Sequence, residues 1–312
     1  MRILFMGTPE FAVPCLRKLI ECGEEVCGVV TQPDKPAGRG HKLTPPPVKK
    51  AAEESGISVF QPETLKNGAF EGELERLNPE LIIVVAYGKI LPEYVLNFPK
   101  HGCINMHASL LPKYRGAAPI QWAVINGEKK TGITSMFMEK GLDTGDMLLK
   151  CETEIGEYET AESLHDRLMK MSAELLEKTI DLLKKGELKR EKQDDALSSY
   201  APMINRETAV IDWNNSAGDI INLIYGMNSY PCAQTLYKGE LFKILRAVSG
   251  GSGYGSRRCG EIVRADAGGI EVVCGGGESI VLTEVQPKGS KSMKIRDYLN
   301  GHSVENGVCF GE

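Results

Sequence analysis

Hydrophobic positions in the first half of the chain form short continuous runs that alternate with stretches of helical spacing. Residues 2–6, 26–31 and 81–85 are almost wholly apolar and are typical of buried strands, whereas Pro9 and Glu10 suit the first turn of a helix that follows Gly7. Further strands are predicted over residues 57–60, 102–107, 132–138 and 147–153. Continuous apolar strands separated by helices predict an α/β fold with a mostly parallel sheet and helices on both faces.

The pattern changes after a predicted helix over about residues 160–185, in which Leu164, Leu168 and Leu175 recur at helical spacing. The next stretch is polar and aperiodic, and it is followed by five short strand-like runs separated by Gly and polar residues. Such runs predict a small β-barrel like those of the oligonucleotide-binding (OB) folds. We therefore predict a catalytic domain over residues 1–188, a linker over 189–205 and a β-barrel domain over 206–312.

Composition narrows the class of protein. The chain has 312 residues, 42% of them hydrophobic and 25% charged, as expected for a globular protein of two domains. A formal net charge of −5 argues against coating nucleic acid through bulk charge, but it allows a local basic patch. Nine cysteines without a C-x-x-C pair favour reduced, mostly buried thiols and predict no metal site. Without a signal peptide or membrane-length apolar run, we expect a cytoplasmic protein. We also expect it to act as a monomer.

Three polar residues are the candidates for catalysis. Asn105 and His107 lie two residues apart in a predicted strand, so their side chains share one face of the sheet near its carboxyl end. Asp143 lies in a loop between Gly141 and Gly145 that follows the next predicted strand. A carboxylate there could reach the imidazole and control its proton. Each residue alone could be structural, but together at the ligand end of one sheet they indicate a catalytic site.

The reaction class is narrowed by motifs that the chain lacks. It has no G-x-S-x-G elbow, no activated cysteine and no H-E-x-x-H pattern, so neither a covalent intermediate nor a metal mechanism is indicated. The remaining reaction class is direct group transfer, in which Asn105 and His107 would donate hydrogen bonds to an oxyanion and Asp143 would accept and return protons.

The residues around this trio resemble a known signature. The pattern N-x-H-x-S-L-L-P-x-x-R-G-x-x-P over residues 105–119, with Asp-Thr-Gly at 143–145, is similar to that of the folate-dependent formyltransferases. The loop over residues 31–49, the run Val-Val-Ala-Tyr-Gly at 84–88, Ile-Asp-Trp at 211–213 and the segment 286–293 resemble the branch that acts on methionyl-tRNA. The resemblance covers nearly the whole chain and implies a Rossmann-like catalytic domain that formylates the amino group of initiator methionyl-tRNA with 10-formyltetrahydrofolate.

The resemblance also implies roles for named residues. Asn105 and His107 would stabilise the oxyanion, and Asp143 would orient His107 or a water and help to move a proton from the attacking amine. The turn after the active strand and two neighbouring loops would hold the folate, through Ser109, Leu110, Leu111, Pro112, Gly88, Ile90, Leu91 and Leu142. The tRNA would be bound by Lys35, Arg39 and Lys42 in one loop and by Lys288, Lys291 and Lys294 in the last domain.

Charge supports the tRNA roles in part. The loop over residues 32–44 carries Lys35, Arg39, His41 and Lys42 among Gly and Pro, which suits a basic arm that reaches for phosphate, although a solvated basic loop would look alike. Beyond residue 206 the charge is near neutral, so tRNA binding there needs a local patch. Lys288, Lys291, Lys294 and Arg296 form the densest candidate, with Arg257 and Arg258 as a second.

Three other functions compete with this interpretation. A dinucleotide-dependent dehydrogenase would need G-x-G-x-x-G after the first strand, where the chain has Gly7 followed by Thr8 and Pro9. A non-catalytic RNA-binding protein would not need the trio. A formyltransferase for a small acceptor, such as an amino sugar or glycinamide ribonucleotide, would not need the last domain.

Overall fold

The computed structural model describes residues 1–37 and 42–311, apart from the side chains of Ala37 and Lys42. The chain divides into two compact units, each discontinuous in sequence. The first unit comprises residues 1–119, 131–153 and 165–201, and the second comprises 120–130, 154–164 and 202–312. The predicted domains are continuous, and their boundaries at residues 188 and 206 stay a prediction.

A seven-stranded sheet forms the centre of the first unit. Its strands are β1 (Arg2–Gly7), β2 (Glu25–Val30), β5 (Val59–Phe60), β6 (Leu81–Val85), β7 (Cys103–His107), β9 (Lys130–Phe137) and β10 (Met147–Glu154). They are arranged in the order β10-β9-β7-β6-β1-β2-β5. The pairs from β7 to β5 are parallel, and β9 runs antiparallel to β7. Two short pairs accompany the sheet: β3 (Lys35–Ala37) with β4 (Lys42–Thr44), and β8 (Arg115–Gly116) with β11 (Tyr200–Ala201).

Burial of the central strands explains their apolar sequences. Every residue of β6 and five of the six residues of β1 are buried, because neighbouring strands lie on both sides and side chains pack on both faces. The helices of the first unit are α1 (Val13–Glu21), α2 (Pro47–Glu54), α3 (Glu71–Leu77), α4 (Glu93–Leu96) and most of α6 (Ala161–Lys185), whereas nearly all of α5 (Pro119–Ile125) belongs to the second unit. The predicted α/β fold with a mostly parallel sheet is confirmed.

The carboxyl ends of β1, β2 and β6 are joined by side-chain hydrogen bonds. The Thr8 hydroxyl donates to the Tyr87 carbonyl at 3.1 Å, and the Gln32 amide donates to the same carbonyl at 3.0 Å. The Gln32 backbone N–H in turn donates to the Thr8 hydroxyl at 3.3 Å. Polar side chains therefore fill the crevice where a dinucleotide's pyrophosphate would approach the backbone, which argues against the dehydrogenase alternative.

The second unit contains an antiparallel sheet in the order β12-β13-β16-β15-β14, with β17 paired to β16. Its strands are β12 (Ala233–Tyr237), β13 (Glu240–Ser252), β14 (Ile262–Asp266), β15 (Gly269–Val273), β16 (Glu278–Pro287) and β17 (Met293–Lys294), with helices α7 (Ala217–Gly226) and α8 (Ile295–Leu299). The buried aromatic rings of Trp213, Tyr237, Phe242 and Phe310 pack together. The β-rich C-terminal region is thus as predicted.

Three local features differ from the sequence expectations. The basic loop over residues 32–44, expected to lack secondary structure, contains the β3–β4 pair. The short helix α8 follows β17 without a strong periodic signal. The region expected to be a linker instead packs on the first unit from Glu191 to Ala201 through hydrogen bonds. Over residues 1–37 and 42–311, no helix is long and apolar enough to cross a membrane, and no cluster of three or more His, Cys, Asp or Glu side chains suits a metal.

Candidate active site

Asn105 and His107 lie in β7, at the position where the sheet changes from parallel to antiparallel pairing. Asn105 pairs with Val84 of β6 on one side and with Met136 of β9 on the other. Because strand side chains alternate, Asn105 and His107 project from the same face, as predicted. Asn105 is half-buried, and within the described ranges its side-chain amide has no hydrogen-bond partner. The amide is therefore available to donate to a bound ligand.

The backbone fixes which nitrogen of His107 faces the site. The imidazole is buried, and its Nε2 lies 2.9 Å from the carbonyl oxygen of Tyr114. A carbonyl can only accept, so Nε2 carries a proton and donates it. In a neutral ring Nδ1 is then an acceptor, and it becomes a donor only when the ring is doubly protonated. Nδ1 is the nitrogen left for chemistry.

Asp143 faces that nitrogen. Its Oδ2 lies 3.7 Å from His107 Nδ1, and the side chains are 12% and 7% exposed, respectively. The backbone N–H of Gly116 donates to the same Oδ2 at 2.9 Å. A separation of 3.7 Å exceeds a hydrogen bond, so the two groups flank a proton position without bonding directly. Such a gap is typical of catalytic pairs before substrate binds.

The loop that carries Asp143 is tightly packed. Asp143 has φ +53°, a left-handed conformation that costs a residue with a side chain free energy and persists because surrounding contacts offset that cost. A glycine is required at position 145, two residues after Asp143, because a Cβ there would lie 1.9 Å from the Phe137 carbonyl oxygen. At Gly141 a Cβ would lie 2.2 Å from the Thr144 hydroxyl. The glycines predicted to bracket the loop are therefore explained by close packing.

The turn after β7 is closed by its own polar groups. The Ser109 hydroxyl donates to the Lys113 carbonyl at 2.7 Å, and the Ser109 carbonyl accepts from the Thr134 hydroxyl at 2.7 Å. Ser109 is fully buried and Leu111 packs against Met136 and Met147. The structure thus corrects two expectations. The Ser109 hydroxyl shapes the turn and the Leu111 side chain is buried in a core cluster, so neither is free to hold a ligand.

The remaining predicted folate residues differ in exposure. Gly88, Ile90 and Leu142 are exposed, and Ile90 and Leu142 are unusual as large apolar side chains that are 84% and 54% exposed. Leu110 and Pro112 are half-buried. Leu91 is buried in the hydrophobic core, so it cannot contact a ligand with its side chain as the sequence had suggested. The exposed and half-buried residues remain suited to an apolar ligand surface.

Of the residues predicted to bind tRNA, Arg39 and the side chain of Lys42 lie outside the described part of the chain. Lys35 is exposed and donates to the Gln32 side chain at 2.9 Å. In the second unit, Lys288, Lys291, Lys294 and Arg296 are all exposed, and we call this group the basic patch. Lys288 is 3.5 Å from Glu240, a contact of two exposed side chains. In the alternative patch Arg257 pairs with Glu261 at 2.7 Å, which weakens that candidate.

Sequence reasoning missed polar residues that support the Asp143 loop and the turn after β7. Arg115 and Gln193 hydrogen-bond to each other, and Ser199 accepts from the Tyr114 N–H at 2.9 Å. The Arg in the signature was a signal for Arg115, but no periodicity or motif marked Gln193 or Ser199. Their partners lie about 80 residues away in sequence.

Comparisons with known proteins find formyltransferases that match both the N-terminal and the C-terminal part of the chain. The "Formyl transferase" family matches residues 1–180, and "Formyl transferase, C-terminal domain" matches residues 203–303. The chain is 52% identical to a methionyl-tRNA formyltransferase of Geobacter sulfurreducens, covering 100% of this chain and 97% of that protein. It is 51% identical to one of Alkaliphilus oremlandii, covering all of both chains.

Solved structures share the fold at low identity. A sugar 3N-formyltransferase solved with dTDP and 5-N-formyl-THF is 20% identical with a TM-score of 0.68, over 93% of this chain and 99% of that one. An N-formyltransferase from Helicobacter canadensis, in complex with folinic acid and dTDP-3-aminofucose, is 19% identical with a TM-score of 0.69, over 92% and 99%. These similarities extend the fold assignment over nearly the whole chain.

Proposed function

Because this chain belongs to the methionyl-tRNA formyltransferase family, we propose that it transfers a formyl group from 10-formyltetrahydrofolate to the amino group of initiator methionyl-tRNA. The observation that carries the proposal is the grouping of three side chains. Asn105 and His107 project from the same face of β7, the Asn105 amide is unbonded among the described residues, and Asp143 Oδ2 lies 3.7 Å from His107 Nδ1. The product, N-formylmethionyl-tRNA, is the form used to initiate translation.

Asn105 and the Nδ1 edge of His107 act on the formyl group. When the amine attacks the formyl carbon, the carbonyl oxygen gains negative charge, and a donor already in place lowers the barrier. The Asn105 amide supplies that donor without having to break another hydrogen bond. His107 can add a second only through Nδ1–H, because Nε2–H is held by Tyr114.

His107 and Asp143 together transfer the proton that the attacking amine loses. The attacking amine must lose a proton as its new bond to carbon forms, and the leaving nitrogen of the folate must gain one. The gap between Nδ1 and Oδ2 places two acceptors where that proton can be shared. Once His107 is protonated, the Asp143 carboxylate stabilises the imidazolium, and Nδ1–H can donate to the oxyanion or return the proton to the leaving nitrogen.

The two substrates would be held by parts of the chain outside the trio. Ile90 and Leu142 would cover the folate ring, and Leu110 and Pro112 would line the turn beside it. Lys35, Arg39 and Lys42 would contact the acceptor end of the tRNA, and the basic patch would bind its phosphates. We propose the predicted domain over residues 206–312, which lies within the second unit, as the tRNA-binding part, and a cytoplasmic monomer as the working form.

A side-by-side assay tests this function. The purified chain is incubated with 10-formyltetrahydrofolate and either initiator or elongator methionyl-tRNA, and N-formylmethionine is measured after deacylation. We expect formylation of the initiator at a much higher kcat/KM than the elongator, and a large loss of rate in Asp143→Asn. No product at any enzyme concentration would refute the proposal. Formylation of an amino sugar but not of methionyl-tRNA would instead favour a small acceptor.

A further inference from the structure

The segment over residues 191–201 is built into the first unit as part of its active-site wall. Glu191 exchanges two backbone hydrogen bonds with Met147, at 2.8 and 2.9 Å. Further along, the Ser199 carbonyl accepts from the Arg115 N–H at 2.8 Å, and β11 pairs with β8. Between these two attachments the segment passes the Asp143 loop, where its side chains make the contacts.

Gln193 makes the central contact. Its side-chain Nε2 donates to the carbonyl oxygens of both Asp143 and Gly145, each at 2.8 Å. Its Oε1 accepts from the Arg115 Nε at 3.0 Å. Arg115 can only donate and carbonyls can only accept, so the network fixes the amide orientation and uses both of its N–H groups. Arg115 is itself anchored to Asp195 at 2.7 Å.

The two carbonyls flank a backbone that needs support. Asp143 has φ +53°, and residues in this region persist when surrounding contacts enforce them. The side chain of Asp143 must also keep Oδ2 between the Gly116 N–H and His107 Nδ1. One amide that clamps the carbonyls of residues 143 and 145 restricts rotation of the peptide groups that follow Asp143 and Gly145, and so restricts where the carboxylate lies.

We propose that Gln193 is a positioning residue for Asp143, acting through the loop backbone and without touching the substrate. The inference rests on the proposed role of Asp143 in formyl transfer. Loss of the clamp lets the loop relax, which lengthens the distance from Oδ2 to the imidazole. Because a misplacement of about 1 Å at a reacting group costs roughly 100-fold in rate, we expect kcat to fall about 10- to 100-fold.

Two variants separate the clamp from the bulk of the side chain. Gln193→Met keeps the length and removes all three hydrogen bonds. Gln193→Glu keeps an acceptor for Arg115 but places a carboxylate oxygen against the two carbonyls, so it tests the loop contact alone. Ser172→Ala is the matched control, because it removes a buried side-chain contact with Cys15 at 3.2 Å elsewhere in the same unit.

Single-turnover formyl transfer, KM for each substrate and thermal unfolding are measured for all variants and for Asp143→Asn. We expect both Gln193 variants to lose kcat by about 10- to 100-fold while KM for methionyl-tRNA changes less than about threefold. Ser172→Ala should lower the melting temperature with kcat within about twofold of the parent. A double variant, Gln193→Met with Asp143→Asn, should be no slower than Asp143→Asn alone, because two residues acting through one carboxylate are not additive.

A structural readout makes the result independent of activity. Hydrogen exchange at the Gly116 amide reports its bond to Asp143 Oδ2, so exchange should accelerate in both Gln193 variants and stay unchanged in Ser172→Ala. Unchanged Gly116 exchange in both Gln193 variants would overturn the proposal, as would a double variant whose loss equals the product of the single losses. Absence of formyl transfer in the parent chain, with Gly116 exchange responding as expected, would refute the proposed function and leave the clamp supported.

Discussion

Replacing Gly145 with alanine is the most direct perturbation of the Asp143 loop. Gly145 lies two residues after Asp143, and an added Cβ would come within 1.9 Å of the Phe137 carbonyl oxygen. Phe137 is held in β9, where its N–H donates to the Asp146 carbonyl at 2.9 Å and its backbone pairs with Ile104 of β7. The sheet cannot yield easily, so the loop must move.

The size of that movement follows from the contact distance. Ordinary van der Waals contact begins at 3.4 Å, so the loop must shift by about 1.5 Å relative to Phe137. A displacement above about 1 Å at a catalytic group costs roughly 100-fold in kcat, which is about 2.7 kcal/mol of activation free energy. Overpacking should also destabilise the fold by about 1–3 kcal/mol.

The assay is single-turnover formylation of methionyl-tRNA, with the folded fraction measured by circular dichroism at the same temperature. Gly156→Ala is the control, since the nearest atom to its added Cβ is 3.6 Å away, and its rate should stay within about twofold of the parent. A folded Gly145→Ala enzyme that keeps kcat within about threefold of the parent would refute the reasoning. Such a result would mean that the position of this loop does not limit the reaction.

Three further changes have distinct expected outcomes. His107→Gln should lower kcat by about 10²- to 10⁴-fold with little change in KM, since an amide N–H can still reach the Tyr114 carbonyl while proton transfer at Nδ1 is lost; steady-state kinetics that show a KM effect alone would contradict this. Replacing the three lysines of the basic patch by glutamine should raise KM for tRNA and make it less dependent on salt, so an unchanged salt slope across a KCl titration would remove the patch from the interface. Burial raises the pKa of Glu271, but hydrogen bonds from the Ser279 hydroxyl and Arg264 outweigh it and hold that pKa below its ordinary value. The Glu271 carboxylate therefore stabilises the fold above the unfolded-state pKa of about 4.3, and this contribution is lost as pH falls through the lower folded-state pKa. In denaturant unfolding, Glu271→Gln should lose less stability over that acidic range than the parent does. An equal loss in both proteins would contradict the assignment.

The sequence was sufficient for features whose causes are local or periodic. The buried strands β1 and β6 are continuous apolar runs because both faces of a central parallel strand are covered. Strand alternation placed Asn105 and His107 on one face, and Gly141 and Gly145 indicated that Asp143 lies in a loop. The absence of nucleophile and metal motifs left direct transfer as the reaction class, and the signature over residues 105–119 then indicated formyl as the transferred group.

Tertiary structure decided how those groups are held. The contact between His107 Nε2 and the Tyr114 carbonyl leaves Nδ1 as the reacting nitrogen, and no residue pattern reveals that choice. The tertiary structure also shows that the Ser109 hydroxyl closes a turn and that Leu91 lies in the core. These outcomes depend on which polar atoms meet after folding, and composition cannot report them.

The segment over residues 191–201 shows most clearly what could not be predicted from the sequence. Its polar, aperiodic sequence predicts a linker, yet the Gln193 side chain donates to the carbonyl oxygens of Asp143 and Gly145. Hydrophobic burial leaves a period in the sequence because it repeats along a helix or strand face. A polar side chain that binds distant carbonyls leaves none, since one residue at one position is enough. The chain's apolar pattern determined the sheet and the site's location, and long-range hydrogen bonds determined the geometry of the site.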